Sequence, residues 1–105
     1  MPKKYRVDIT AITETDITEI WDYIAQDNPG AACAFILQLE KQIGTLERYP
    51  ERCPLIPENE SLDTAYRHLL HGNYRTIFKI IGTSVIILRV IHGARLLNQG
   101  ILEEK

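Results

Sequence analysis

Acidic residues are absent from one long part of this chain. The 105 residues carry a net charge of −2, yet residues 66–102 contain no Asp or Glu. The Arg, Lys and His side chains of that segment are Arg67, His68, His71, Arg75, Lys79, Arg89, His92 and Arg95. A surface built from this segment would favour an anionic partner, either nucleic acid or an acidic protein. The alternative is that strands simply disfavour exposed acids.

A long uninterrupted apolar run is also missing. The most apolar stretch, residues 77–91, is broken by Lys79, by residues 82–84 and by Arg89. The chain does not start with a basic segment followed by an apolar one. Neither a membrane span nor a secretory signal is therefore predicted, and the cytoplasm is the expected compartment.

Cysteine is scarce, and the few cysteines form no recognisable motif. Cys33 and Cys53 match no metal-ligand or redox spacing, so we expect two structural thiols in a reducing compartment. No glycine-rich phosphate loop and no nucleophile triad can be assembled either. The sequence predicts no cofactor and no metal, and residues 1–105 suit one domain with a single core.

Apolar periodicity predicts two helices after a short half-buried strand over residues 5–9. Thr13 is the expected N-cap of the first helix, with an acid, Asp16, three residues later. The apolar stripe of that helix is Ile17, Ile20, Trp21 and Ile24. Asn28 is the expected N-cap of a second helix that runs to about Tyr49.

The rest of the chain predicts a loop and then a three-stranded meander. Prolines argue against a helix in residues 50–61. Strands are expected over residues 67–70, 74–81 and 85–91, separated by turn residues. The predicted fold is α+β, in the order β-α-α-β-β-β, with a helical hairpin packed on an antiparallel sheet.

Hairpin register suggests one possible site. If both hairpin loops are even-numbered and no bulge intervenes, Arg75 lies opposite Val90 and diagonal to His92. His68, Arg75, His92 and Arg95 would then line one positively charged concavity. Guanidinium groups bind phosphate, and histidines can transfer protons near neutral pH. The ordinary alternatives are a turn role for His71, a structural role for His92, an internal partner for Arg89, and a core or interface role for Trp21.

Four stretches carry a resemblance to a known family. They are EIWDYIAQDNPGAA (residues 19–32), LERYPERCP (residues 46–54), YRHLLHGNYRTIFKI (residues 66–80) and VIILRVIHGAR (residues 85–95). In order and spacing they resemble the RelE/ParE superfamily of toxins from bacterial type II toxin–antitoxin systems. The resemblance runs from about Tyr5 to Leu97 and implies the β-α-α-β-β-β fold.

The resemblance also implies a biological role. Such toxins inhibit growth, are associated with plasmid stabilisation, and are held inactive by a cognate antitoxin, through which alone they meet operator DNA. RelE-like members cut messenger RNA on the ribosome, whereas ParE-like members are described as acting on DNA gyrase without nuclease activity. The long helix before Asn28-Pro29 and the ending His92-Gly93-Ala94-Arg95 resemble the ParE side.

Residue by residue, the resemblance to the nucleases is incomplete. Their two arginines match Arg75 and Arg95, but their two lysines fall near Tyr66 and His68, and their C-terminal tyrosine falls near Ile101. Two arginines without proton-transfer groups bind phosphate better than they cut it. We therefore expect a gyrase-binding toxin rather than an enzyme, in which Arg75→Ala and Arg95→Ala relieve toxicity while leaving the fold intact.

Two alternatives stay open. One is a ribosome-dependent mRNA endonuclease with His68, Arg75, His92 and Arg95 as its candidate catalytic residues. The other is an inactive homologue that serves only as an antitoxin partner in promoter autoregulation. The candidate residues for binding the target or the antitoxin are Arg67, Arg75, Lys79, Arg89, Arg95 and Trp21.

Overall fold

A computed structural model describes residues 4–98 of the chain, so Ile101 lies outside the described residues. The elements are β1 (Arg6–Ile9), α1 (Ala11–Ala25), α2 (Pro29–Gly44), α3 (Asn59–Leu62), β2 (Arg67–His71), β3 (Tyr74–Ile81) and β4 (Ser84–His92). Helices pack on a four-stranded sheet, which confirms the predicted α+β fold. Within residues 4–98, no helix combines the length and the hydropathy that a membrane span requires.

The sheet has the strand order β1-β4-β3-β2. The meander β2-β3-β4 is antiparallel, as the sequence predicts, whereas β1 pairs in parallel with β4. Because β1 adds to the far edge of the meander, β4 becomes a central strand. Residues at its end, Val90 to His92, face a depression that they share with residues of α1.

The first helix begins earlier than predicted, and this changes the role of an acid. Thr10, not Thr13, is the N-cap, and its hydroxyl accepts a hydrogen bond from the Thr13 backbone N–H. The hydroxyls of Thr10 and Thr13 both donate to the carbonyl of Ile87, at 2.9 and 3.2 Å, so the helix start is fastened to β4. Asp16 therefore lies beyond the first turn, on the buried side of α1.

The second helix begins as predicted and ends earlier. Asn28 caps it, and Pro29 occupies its first turn. It ends at Gly44, and a 3-10 turn at Thr45–Glu47 replaces the last predicted turn, so the expected end near Tyr49 is wrong. Arg48 is already extended, and Tyr49 adopts a left-handed conformation with φ of 50° before the next proline.

The segment expected to be free of helix, residues 50–61, is more structured than predicted. Pro50–Arg52 forms a 3-10 turn, and Asn59–Leu62 forms a single helical turn. Proline is tolerated at the first position of such a turn because its missing N–H would have no partner there. The helical turn begins after Pro57, the last proline of the segment. The prolines therefore argue against an α-helix only in the residues up to Pro57.

Both faces of the sheet are covered. The main core lies between the helical hairpin and the sheet and contains Leu39, Leu46, Phe78, Val85 and Ile87. A smaller apolar cluster lies on the opposite face and consists of Ile56, Ile77, Ile91 and Leu97, with Leu62, Tyr66 and Leu88 packed against it. We refer to it as the outer cluster.

The predicted register holds for one hairpin and fails for half of the other. The β2–β3 pairs agree with the prediction, as do the β3–β4 pairs between Phe78 and the turn. A bulge between Ile77 and Phe78 then shifts the register by one residue. Arg75 consequently lies opposite Ile91 rather than Val90, and His92 lies opposite Tyr74. The predicted concavity is therefore wrong, because Arg75 and His92 point to opposite faces of the sheet.

Candidate functional site

Arg75 is buried in an ion pair rather than exposed on a binding face. Only 4% of the residue is accessible, and both terminal nitrogens of its guanidinium contact the Glu58 carboxylate, Nη1 at 3.1 Å from Oε1. Nη2 also donates to the carbonyl of Arg95 at 2.8 Å. Hydrogen bonds from Arg75 lower the pKa of Glu58 to about 2, against the opposing effect of its burial. The pair is therefore ionised throughout the physiological range.

His68 lies beside this pair. Its Nδ1 is 3.4 Å from Nη1 of Arg75. Burial lowers the pKa of His68, and the neighbouring positive charge of Arg75 lowers it further. A neutral ring suits this position because it can accept a hydrogen bond from the guanidinium. His68 and Arg75 are thus brought together as predicted, without His92.

Arg89 forms a second buried pair on the helix side of the sheet. Its Nε and Nη2 contact the two carboxylate oxygens of Asp16, each at 2.7 Å. Oδ2 of Asp16 also accepts the backbone N–H of Val90 at 3.0 Å. This bidentate contact joins α1 to the central strand. The ordinary interpretation of Arg89 as an internally paired residue is therefore the one the contacts support.

Arg67 is engaged with backbone. Its Nη1 donates to the carbonyls of Cys53 and Glu51, at 2.6 and 3.1 Å, and so holds the proline-rich loop against β2. Burial raises the pKa of the Cys53 thiol despite the opposing charges of Arg52 and Arg67, so this cysteine is a protonated core residue. Three of the predicted binding arginines thus have internal partners.

The remaining predicted residues are accessible but lie apart. Among residues 4–98, the side chains of Lys79 and Arg95 have no hydrogen-bonding or ion-pair partner. Arg95 and His92 are both exposed. Trp21 is 37% exposed and is not part of the main core. Of the predicted set, Arg95 and His92 share a surface depression.

That depression is a groove between α1 and the ends of β3 and β4. One part, of about 160 Å³, is lined by residues that include Glu19, Tyr23, Tyr74, His92 and Arg95. An adjoining part, of about 390 Å³, shares Tyr23, Tyr74 and His92. Tyr23 is 70% exposed and borders both parts, so we call this surface the Tyr23 groove.

A row of four rings runs along the Tyr23 groove, and three of them, Phe35, Tyr74 and His92, line it. Centroid distances are 4.6 Å for His71 and Phe35, 5.5 Å for Phe35 and Tyr74, and 5.7 Å for Tyr74 and His92. The Nδ1 atom of His92 accepts the backbone N–H of Ala94 at 3.1 Å, which orients its ring. The groove thus combines fixed aromatic surface with two acids and one exposed arginine, Arg95. Of the acids, Asp16 is paired with Arg89, whereas Glu19 is exposed. Such a surface suits contact with another protein, since aromatic residues and arginine are enriched in interfaces.

Sequence reasoning missed three residues that matter here. Asp16 carried a usable signal, because it lies three residues after Thr13 and four before Ile20, on the buried stripe. Glu58 carried none, because it lies in an aperiodic loop. Tyr23 falls just outside the apolar stripe, and only the arrival of β4 beside α1 makes it a groove residue. No cluster of metal-ligating side chains is present among residues 4–98.

Comparison with solved structures defines the class of protein. A chain of the chromosomal ParDE toxin–antitoxin system from P. aeruginosa shares the fold, with a TM-score of 0.67, 18% identity, and coverage of 86% of this chain and 97% of that one. A chain of the toxin–antitoxin complex RelBE2 from Mycobacterium tuberculosis matches with a TM-score of 0.57, 28% identity, and coverage of 85% and 98%. The fold is that of the RelE/ParE superfamily.

Comparison with protein families is more specific. The family model described as the ParE toxin of the type II toxin–antitoxin system parDE matches residues 7–97. No curated protein sequence matches the chain significantly. The chain belongs to the ParE toxin family, as the resemblance in its sequence implies.

Proposed function

We propose that this toxin arrests growth by binding DNA gyrase in the cytoplasm and that a cognate antitoxin neutralises it by direct contact. The observation that carries the proposal is the state of Arg75. The residue that corresponds to a nuclease arginine is buried, and its charge is neutralised by Glu58. An arginine in that state cannot stabilise charge that develops on a substrate phosphate.

The proton-transfer groups are also separated. Cleavage of RNA needs a base, an acid and a cation around one phosphate. His68 lies beside buried Arg75, whereas His92 and Arg95 lie at the Tyr23 groove. The Tyr23 groove contains one histidine and one arginine, so cleavage of RNA has to be measured directly. This separation favours binding over catalysis.

The Tyr23 groove is the surface we assign to a protein partner. It presents an exposed tyrosine together with Glu19 and Arg95, and tyrosine and arginine are enriched among the residues that dominate the binding energy of interfaces. The two structural neighbours come from toxin–antitoxin systems, which supports a cognate antitoxin as the neutralising partner. The gyrase assignment rests on membership of the ParE family.

The experiment compares target readouts after brief expression without antitoxin. We expect growth arrest with altered plasmid supercoiling and a DNA-damage response, and transcripts without codon-phased cuts by primer extension. Purified toxin should inhibit DNA supercoiling by gyrase. Codon-phased cuts with unchanged topology would instead establish the nuclease, and the absence of any growth arrest would point to an inactive homologue.

Variants then test the groove. Tyr23→Ala and Arg95→Ala should each raise the toxin concentration needed to inhibit gyrase by about tenfold or more, as expected for central interface residues. Tyr49→Ala and Arg48→Ala are the matched controls, since both residues are exposed far from the groove. Equal effects of groove and control variants would exclude this surface. Arg75→Ala is unsuitable, because it would leave Glu58 buried without its counter-ion and would disturb the fold.

A further inference from the structure

Residues 95–97 cross the outer face of the sheet near the end of the described part of the chain, and we call them the strap. Leu97 is only 3% exposed and packs in the outer cluster with Ile56, Ile77 and Ile91. The two preceding residues are exposed, Leu96 by 72%. The strap is therefore anchored through a single side chain.

One buried ion pair holds both ends of the strap. Oε2 of Glu58 accepts the backbone N–H of Leu97 at 2.8 Å. Nη2 of Arg75 donates to the backbone carbonyl of Arg95, also at 2.8 Å. The pair thus binds the strap by one donor, Nη2 of Arg75, and one acceptor, Oε2 of Glu58. These two atoms also contact each other, and Nη1 of Arg75 donates to Oε1 of Glu58. Both contacts involve a charged group, and such hydrogen bonds are stronger than neutral ones.

We propose that the Glu58–Arg75 pair is a latch and that the strap opens as a local unit, without unfolding of the sheet. The attachments described above are few compared with the buried ladder of β3 and β4, so opening requires much less free energy than global unfolding. Opening uncovers Ile77 and Ile91 and releases one contact from each member of the ion pair. The strap therefore controls whether Arg75 and the outer cluster are accessible to another molecule.

Glu58 is the residue on which this latch depends. Its carboxylate neutralises Arg75 and also accepts the Leu97 N–H, so loss of its charge weakens both. Arg75 cannot replace it, because a guanidinium has no acceptor. The proposal is independent of the target of the toxin and stands or falls on the purified protein alone.

The first experiment is amide hydrogen exchange in Glu58→Gln. The Leu97 amide should exchange about 10- to 100-fold faster than in the unmodified protein, the range expected for weakening a charged hydrogen bond. The amide of Ile77, in the sheet beneath, should change much less. Glu60→Gln is the matched control, because Glu60 lies exposed on α3 and its side chain has no partner within residues 4–98. Equal exchange of Leu97 in the two variants would overturn the proposal.

A second experiment leaves the latch intact. In a Cys33→Ser background, Ile91→Cys places a thiol beneath the strap and leaves Leu97 in place, and Cys53 reports on the main core because it is 3% exposed there. Local opening predicts that a thiol reagent labels the introduced thiol at least tenfold faster than Cys53, with little acceleration by low urea concentrations. If both thiols react at one rate with the same urea dependence, the strap opens only on global unfolding and the latch does not exist.

Discussion

Arg75 and Arg89 look alike in the sequence, since each lies inside an apolar strand. In the structure each finds a carboxylate from a distant segment, Glu58 and Asp16 respectively, and each guanidinium is almost fully buried. Burial explains the pairing, because an unpaired charge in such a position would cost several kcal/mol. At the scale of single residues, the acid-free segment therefore supplies cations for internal pairs as well as for its surface.

A substitution at Asp16 tests this interpretation. Asp16→Asn retains the shape but leaves Arg89 without a counter-ion, so the free energy of unfolding should fall by about 3 kcal/mol. Urea unfolding followed by circular dichroism measures the change. Asp22→Asn is the control, since Asp22 is exposed on the same helix. A loss of less than 1 kcal/mol relative to this control would contradict a structural role for the pair.

At the scale of elements, the boundaries shift wherever tertiary contacts compete with local signals. Both Thr10 and Thr13 can cap a helix. The backbone carbonyl of Ile87 accepts a hydrogen bond from each hydroxyl, so a helix that begins at Thr10 is held against β4. The bulge at Ile77 and Phe78 shifts the end of β4 by one residue and so brings His92 to the Tyr23 groove. No local propensity distinguishes these alternatives.

The two hairpin turns offer a matched test of packing. Gly72 and Gly82 both have φ of 57°, so alanine at either position should cost about 1 kcal/mol in backbone strain. At Gly72 the added methyl group would also lie 3.2 Å from the Phe35 ring, whereas nothing lies within 4 Å at Gly82. We expect Gly72→Ala to lower the unfolding free energy by about 2 kcal/mol and Gly82→Ala by half as much. Equal losses of unfolding free energy in the two variants, measured by thermal or urea unfolding, would mean that the Phe35 ring moves aside without destabilising the protein.

At the scale of the whole molecule, the acidic first part of the chain and the basic last part are interleaved. Asp16 on α1 neutralises Arg89 on β4, and Glu58 in the connecting segment neutralises Arg75 on β3. Charge that is separated along the sequence is thus partly paired in space. Of the basic residues in the acid-free segment, Lys79 and Arg95 keep an unpaired charge on the described surface. The positively charged surface is therefore smaller than the composition of that segment suggests.

Acid stability should report on this arrangement. The pKa of Glu58 is lowered from 4.5 to about 2, so the folded state retains its ionised form when the unfolded chain already binds a proton. This contribution is present above about pH 4.5 and is lost as the pH falls towards 2, with a total of at most about 3 kcal/mol. Urea unfolding at pH 6, 4 and 3 measures the decline. In Glu58→Gln the unfolding free energy should fall less steeply between pH 6 and pH 3. The same slope in both proteins would mean that other carboxylates cause the loss of stability.

The order of the main helices and strands and the α+β class follow from the sequence by itself, because periodicity, caps and turn residues act over only a few positions. The same holds for the Asn28 cap and for the β2–β3 register. The family follows from the resemblance of four stretches of the sequence to its members. Tertiary structure alone decided the pairing of Asp16 with Arg89 across 73 positions and of Glu58 with Arg75 across 17. It also decided the bulge, the Tyr23 groove and the strap, since each arises where segments that are distant in the sequence meet. For that reason the predicted arginines could be named from the sequence, but which of them remain exposed depends on the fold.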